Sequence, residues 1–273
     1  MICRVGDARY RGRAVTIEEP IDPARLARAV RQGRDAGGPP PIEVECPTAG
    51  ALHERVGCIH PDRSLRPRTA LAAAARSRGW TATVDDELEA VRAALADLDE
   101  PPAVPEAADA NRRLSEATAE IDRLRERVAA IRGRVAADEA AADDLEAAVR
   151  GLSEVETAAA AARERRRATR EAAREARDRL EERLRLEDRL GNVERRARRE
   201  LVERATPDFR AALAAVPGLE DVPDPFDAPT DAVALAVARV GELEAPVVLA
   251  TDRFPDAGAG ADWLDAPVLR REP

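Results

Sequence analysis

Along residues 114–152 the apolar side chains recur alternately three and four positions apart. One series holds Leu114, Ile121, Val128, Val135, Ala142 and Val149; the other holds Ala117, Leu124, Ile131, Asp138, Leu145 and Leu152. Six heptads with one charged exception predict a coiled coil. Past residue 155 the seam thins into alanines and arginines. It returns, shifted in phase as by a stutter, at Leu180, Leu184, Leu186, Leu190, Val193, Ala197 and Leu201. No proline occurs from Glu106 to Ala205, whereas Pro101, Pro102 and Pro105 stand just before that span and Pro207 just after it. Proline is excluded from helix interiors, so these residues bracket the helical segment.

The flanks read differently. Ile2–Val5 and Tyr10–Glu18, the latter with β-branched Val15-Thr16-Ile17, predict two short strands with a turn at Gly6-Asp7 between them. Asp22 caps a helix that starts at Pro23 and runs to about Asp35. Ile42–Cys46 predicts a further strand, and helices are expected over 67–78 and 85–98. After Thr206-Pro207, a new helix is expected over 208–216, and another from Thr230 to about Leu243. The apolar run 245–251 is the best buried strand, and a short helix through Trp263 with a strand at 268–270 completes a βαβ-like unit. The expected fold class is α+β, mostly α. Residues 1–100 and 206–273 form the two parts of a small α/β head, and residues 106–205 form an inserted antiparallel coiled-coil hairpin.

Charge suggests where that hairpin turns. Residues 135–162 carry seven acids and one arginine, and residues 163–170 carry five arginines and one glutamate. Folding back near Gly151-Leu152-Ser153, with a tip at 151–156, sets 138–146 against 163–170, and the two termini become neighbours. A monomer with an intrachain hairpin is the preferred reading. An antiparallel dimer of long helices, each about 150 Å at 1.5 Å per residue, is the alternative.

Composition narrows the chemistry. All 44 basic residues are arginine, so a P-loop lysine, a kinase lysine and lysine Schiff-base catalysis are excluded. Aromatics make up 2% of the chain, too few for a thick core throughout, and a two-helix seam fits that shortage. The formal net charge of −9 is that of a soluble, acid-coated chain adapted to high salt. No apolar run reaches a membrane span, the first residues lack the apolar region of a signal peptide, and three cysteines make no disulfide framework, so a cytoplasmic location is expected.

Two clusters are candidate sites. Cys46, His53, Cys58 and His60 bring both histidines of the chain and two of its cysteines within fifteen residues. Thiolate and imidazole are the ligands zinc prefers, although Cys-x-His is an awkward pair and buried structural cysteines are common. Cys58 and His60 alone, two apart on a strand, would also suit a nucleophile and its base. The second cluster is a stripe of arginines, Arg163, Arg166, Arg167, Arg170 and Arg174, at three- and four-residue spacing on one helix face. It suits phosphates or an acidic partner, or it neutralises the acidic stretch. No aromatic residues interleave to stack bases. Asp252 and Asp256 follow the 245–251 strand, where α/β folds place ligands. No glycine-rich phosphate loop, Gly-x-Ser-x-Gly elbow or His-Glu-x-x-His pattern is present.

With the heptads, the arginine and alanine content and the segment Val56-Gly57-Cys58-Ile59-His60-Pro61, the chain resembles uncharacterised coiled-coil proteins of haloarchaea, families of unknown function. Its layout is also similar to that of the structural-maintenance-of-chromosomes ATPases, without their Walker A lysine. The expected function is that of a non-enzymatic structural or adaptor protein mediating protein–protein contacts. An accessory role in DNA transactions through the arginine-rich arm, and a metal-dependent module around Cys46–His60, are the alternatives. No cofactor is expected unless zinc occupies that cluster.

Overall fold

The computed structural model describes residues 1–98, 107–135 and 141–271, with backbone only at 107–110, 135 and 141. The linker prolines at 101–105, and Asp138 of the heptad series, lie outside the described residues. Strands β1 (Ile2–Val5), β2 (Ala8–Arg11) and β3 (Ala14–Ile17) lead into helix α1 (Pro23–Gln32). There follow β4 (Arg34–Asp35), β5 (Ile42–Glu45), α2 (His53–Val56), β6 (Cys58–Ile59), α3 (Pro67–Ser77), α4 (Asp85–Asp97), α5 (Ala107–Val135) and α6 (Ala141–Ala214). The chain closes with α7 (Thr230–Val240), β7 (Val247–Leu249), α8 (Ala257–Leu264) and β8 (Val268–Arg271). The protein is mostly helical with two small sheets, and no helix among the described residues is long and apolar enough to cross a membrane.

Two compact units result: residues 1–89 with 191–273, and residues 90–190. In the first, an antiparallel sheet has strand order β2-β1-β5-β4 and a parallel sheet has order β3-β8-β7-β6. The parallel sheet joins the two ends of the chain. Val15 of β3 pairs with Leu269 of β8, and Cys58 of β6 pairs with Val248 of β7. The period-two alternation of its strands sends Val15, Ile17, Cys58, Val248 and Leu269 into one core. Cys3, Val5, Ile42 and Val44 of the antiparallel sheet enter the same core, as do Leu26, Ala29 and Val30 of α1. On the parallel sheet's other residues, Ile59, Val247, Leu249 and Val268 are buried too, as are nearly all of α7 and the inner side of α8. A parallel sheet needs cover on both faces, and the near-continuous apolar run at 245–251 reflects that.

Three local expectations change. The stretch Tyr10–Glu18 is not one strand: β2 ends at Arg11, and after Gly12 and Arg13 the chain enters the other sheet as β3. Helix α1 stops at Gln32 instead of Asp35, because Gly33 takes the left-handed conformation (φ 78°) that a glycine C-cap supplies without steric cost. Pro207 does not begin a new element but sits inside α6. The hydroxyl of Thr206 donates to the Val202 carbonyl at 2.6 Å, and Phe209 and Leu213 beyond the proline are buried. That packing offsets the one backbone bond the proline removes. In the same unit the guanidinium groups of Arg78 and Arg204 both lie over the Trp80 ring, 4.7 and 4.9 Å from its centroid. Glu200 accepts hydrogen bonds from the backbone N–H (3.0 Å) and hydroxyl (2.8 Å) of Thr83.

In the second unit Val128 and Ile131 of α5 pack with Ala148 of α6, flanked by Leu145 and Leu152. Arg125 pairs with Glu156 at 2.8 Å. Position numbers rise along α5 as they fall along α6, so the helices run antiparallel here. The expected turn at 151–156 is therefore wrong, since those residues lie well inside α6. The expected pairing of 138–146 with 163–170 fails with it: residues 143–146 and 163–166 sit on one helix, about 30 Å apart at 1.5 Å per residue. Opposite charges had marked two stretches of a single helix, not two arms. Of the shifted series, Leu180 and Leu184 are half exposed, whereas Val193, Ala197 and Leu201 are buried within the first unit.

Candidate functional site

The four proposed zinc ligands do not converge, and no group of three or more metal-binding side chains forms among the described residues. His53 opens α2 and is 1% exposed. Its Nε2 lies 2.8 Å from the Pro246 carbonyl oxygen, to which it donates. Its Nδ1 has no hydrogen-bond partner and faces Gly57, where an added Cβ would come within 2.3 Å of it. Burial pushes the imidazole below its ordinary pKa, so His53 is a neutral structural link between α2 and the approach to β7. Cys46 follows β5 and directs its thiol at the Val30 carbonyl, 3.8 Å away. Burial raises the Cys46, Cys58 and Cys3 thiols, Cys3 to about 11, which makes them poor nucleophiles and poor metal ligands. The sequence proximity of the four reflected a strand, a one-turn helix and a second strand following one another, each sending its Cys or His to a different neighbour.

Cys58 and His60 do share a surface, a concavity of about 420 Å3 where β6 ends. The loop after β6 turns back at once: Asp62 N–H donates to His60 Nδ1 at 3.1 Å, and Arg63 N–H to the His60 carbonyl at 3.2 Å. The Arg63 charge opposes, without cancelling, the upward push of burial on the Cys58 thiol. Asp252 and Asp256 are not part of this surface; Asp256 caps α8 by accepting from the Ala259 N–H at 2.8 Å.

The arginine stripe is brought together. Arg163, Arg166, Arg167, Arg170 and Arg174 line one concavity of about 330 Å3 on α6, with Leu114 of α5 and the single acid Glu171. Arg167 donates to Glu171 at 3.0 Å. The other four have no carboxylate partner among the described residues. The Nε of Arg166 is buried without a hydrogen-bond acceptor. An unsatisfied buried donor costs about 1–3 kcal/mol and asks for an explanation. Sequence reasoning had found the stripe but missed Leu114 as its neighbour, because the wrong turn placed α5 elsewhere.

Comparison with known proteins adds a single relationship. No curated protein and no solved structure gave a match. The family model described as a family of unknown function, DUF7856, matches residues 12–268, and over that span, nearly its whole length, the chain belongs to this family.

Proposed function

We propose that the protein is a non-enzymatic adaptor whose helices α5 and α6 form an antiparallel coiled-coil hairpin, and that the arginine concavity on this hairpin docks an acidic segment of a partner protein. The observation that carries the reading is the grouping of five arginines around Leu114 with one acid among them. Maintaining like charges side by side on a helix is unfavourable, and a buried donor left without an acceptor adds to that cost. A bound carboxylate relieves both, since guanidinium groups take carboxylates with two parallel hydrogen bonds.

A protein partner suits this surface better than nucleic acid. Leu114 gives the concavity an apolar floor, which fits an acidic segment that also carries an apolar side chain. The formal net charge of −9 disfavours a polyanion beyond the local contact. The haloarchaeal likeness and a cytoplasmic location accord with an adaptor working in concentrated salt, where recognition depends on close contacts because the Debye length falls to about 3 Å at 1 M.

The test is a cross-linked pull-down in high-salt buffer that compares the full chain with a variant carrying Arg163→Gln, Arg167→Gln, Arg170→Gln and Arg174→Gln. The expected result is selective loss of a partner that binds the wild type through an acidic segment. A variant that keeps every partner, or a wild type that shifts duplex DNA through these arginines while capturing no protein, overturns the reading.

A further inference from the structure

A second basic concavity lies in the other unit and is independent of the hairpin. Its position follows from topology. β3 and β6 are parallel members of one sheet, so the start of α1 after β3 and the loop after β6 both emerge at the carboxyl ends of the strands. That edge is where open parallel sheets hold ligands, since the loops there leave room between the elements they connect.

Three arginines line this place. Arg28 and Arg31 are three positions apart on one face of α1, and Arg63 comes from the loop after β6. Little in the protein occupies them. Arg31 has no ion pair among the described residues. Arg28 reaches Asp35 only at 3.5 Å, and that carboxylate is already served by Arg25 at 3.1 Å and the Gly37 N–H at 2.8 Å. Two acids share the lining: Asp22 is engaged as the helix cap, accepting from the Ala24 N–H at 2.8 Å, and Asp62, its side chain 91% exposed, lies 4.0 Å from His60 Nδ1 and turns largely to solvent. The helix terminus is thus capped from within, and the arginines are the groups left for an anion. His60 adds to them. Its Nδ1 accepts the Asp62 N–H, which leaves Nε2 as the ring nitrogen able to donate.

We propose that this concavity binds the phosphate group of a small phosphorylated molecule, with Arg28, Arg31, Arg63 and His60 as its donors. Planar guanidinium groups match phosphate oxygens two at a time, and the three arginines outnumber the two carboxylates, Asp22 and Asp62, in the same lining. The space of about 420 Å3 is that of a pocket for a whole small molecule, so the rest of the ligand lies along Pro23, Ala24 and Cys58.

The test is titration calorimetry on the full chain with glycerol 3-phosphate and, separately, inorganic phosphate, at about 0.1 M salt, where charge contacts are least screened. Wild-type protein is expected to bind glycerol 3-phosphate saturably and more tightly than inorganic phosphate. Arg31→Gln and Arg63→Gln are each expected to weaken binding about tenfold or more, the effect of losing one charge-assisted contact. The variant carrying the four α6 substitutions should bind as the wild type does, which separates this site from the hairpin. Circular-dichroism melting checks that the variants are folded. If Arg63→Gln is not, Arg31→Gln carries the test, because Arg31 is exposed and makes no ion pair among the described residues. The proposal is overturned by absence of saturable binding in the wild type, or by unchanged binding in Arg31→Gln. Inorganic phosphate binding as tightly as the ester overturns the assignment to a phosphorylated molecule.

Discussion

Arg253 closes on Asp231 from the far side of β7: its Nε donates to Oδ2 at 2.6 Å and a terminal nitrogen donates to Oδ1 at 3.2 Å. Asp231, at the start of α7, is 5% exposed and also accepts from the Thr251 hydroxyl at 2.9 Å, while Arg253 reaches the Pro217 carbonyl at 3.0 Å. One two-pronged contact therefore ties α7, the end of β7 and the segment after α6. Replacing Arg253 by leucine strands a buried carboxylate, and the expected loss is roughly 3–5 kcal/mol of unfolding free energy. Urea titration of wild type and variant measures it; a loss below about 1 kcal/mol, the range of an exposed pair, would show that the contact is peripheral.

The same carboxylate gives an acid-side prediction. Burial raises the Asp231 pKa, but the hydrogen bonds and charge of Arg253, with Thr251, outweigh it and hold the group below its ordinary value of 3.8. The folded state then binds fewer protons than the unfolded state once pH approaches 3.8. Its contribution to stability is complete above that value and is lost as pH falls through the folded pKa. Thermal melts of wild type and Asp231→Asn between pH 5 and pH 2.5 should therefore converge as the pH is lowered.

His53 acts in a separate window. Its folded pKa lies below the ordinary 6.5 because burial disfavours the charged ring. Above 6.5 both states are neutral there, and no stability depends on this group's titration. Below it the unfolded chain takes up a proton that the folded one refuses, so stability falls as pH drops from 6.5 toward the folded value. Melting curves at pH 7.5 and pH 5.5 should show a drop in the wild type that His53→Gln lacks. An equal drop in both would assign the effect to other groups.

What the sequence disclosed about the fold followed the strength of local signals. β7, α8 and β8 were legible because a buried apolar run, a short helical segment through Trp263 and a final apolar pair stand in order, although Asp256, read as a ligand position, proves to be the cap of α8. β6 was not, since two residues carry no period, and α2, at four residues, is held by the His53–Pro246 bond across 193 positions. The continuity of α6 through Pro207 was hidden because the proline penalty is local and the burial of Phe209 and Leu213 is tertiary. In the heptad series, Ile121, Val128 and Ile131 are buried as the count requires. Beyond α5 the two series part: Leu145 and Leu152 still pack on the seam, but in the other series Val149 is 42% exposed and Ala148, one residue earlier, is 7% exposed. A heptad tallied straight through a change of direction retains the spacing but loses the face, because the second helix begins with its own rotation.

The site residues divide along the same line. The arginine stripe was legible because all five residues lie on one helix, where spacing fixes the face. The convergence of Arg28 and Arg31 with Arg63 was not, because it depends on the parallel alignment of β3 and β6 in a sheet completed by the last strands of the chain.

Gly260 offers a packing test within α8. A Cβ built there would lie 2.5 Å from Leu249 Cδ1 of β7, so the helix approaches the strand more closely than a side chain allows. Alanine raises helix propensity by about 1 kcal/mol over glycine, but overpacking a tight core costs roughly 1–3 kcal/mol. Gly260→Ala is expected to be net destabilising by denaturant titration, and Gly260→Ala with Leu249→Val should recover part of the loss by withdrawing the clashing methyl.

The antiparallel packing of α5 and α6 can be tested by a covalent link. Val128 and Ala148 belong to one buried cluster, so cysteines at both positions should be close enough for a short bismaleimide to bridge them. The introduced positions are about as buried as Cys58, so a Cys3→Ala, Cys46→Ser, Cys58→Ala background is used, which leaves the introduced pair as the chain's thiols. If the packing lies within one chain, the linked Val128→Cys, Ala148→Cys protein migrates as a compact monomer on a denaturing gel at every protein concentration. A concentration-dependent band at twice the mass would mean that the helices pair between chains. The hairpin assignment would then give way to a dimer of long helices, and the Leu114–arginine concavity would be built from two copies.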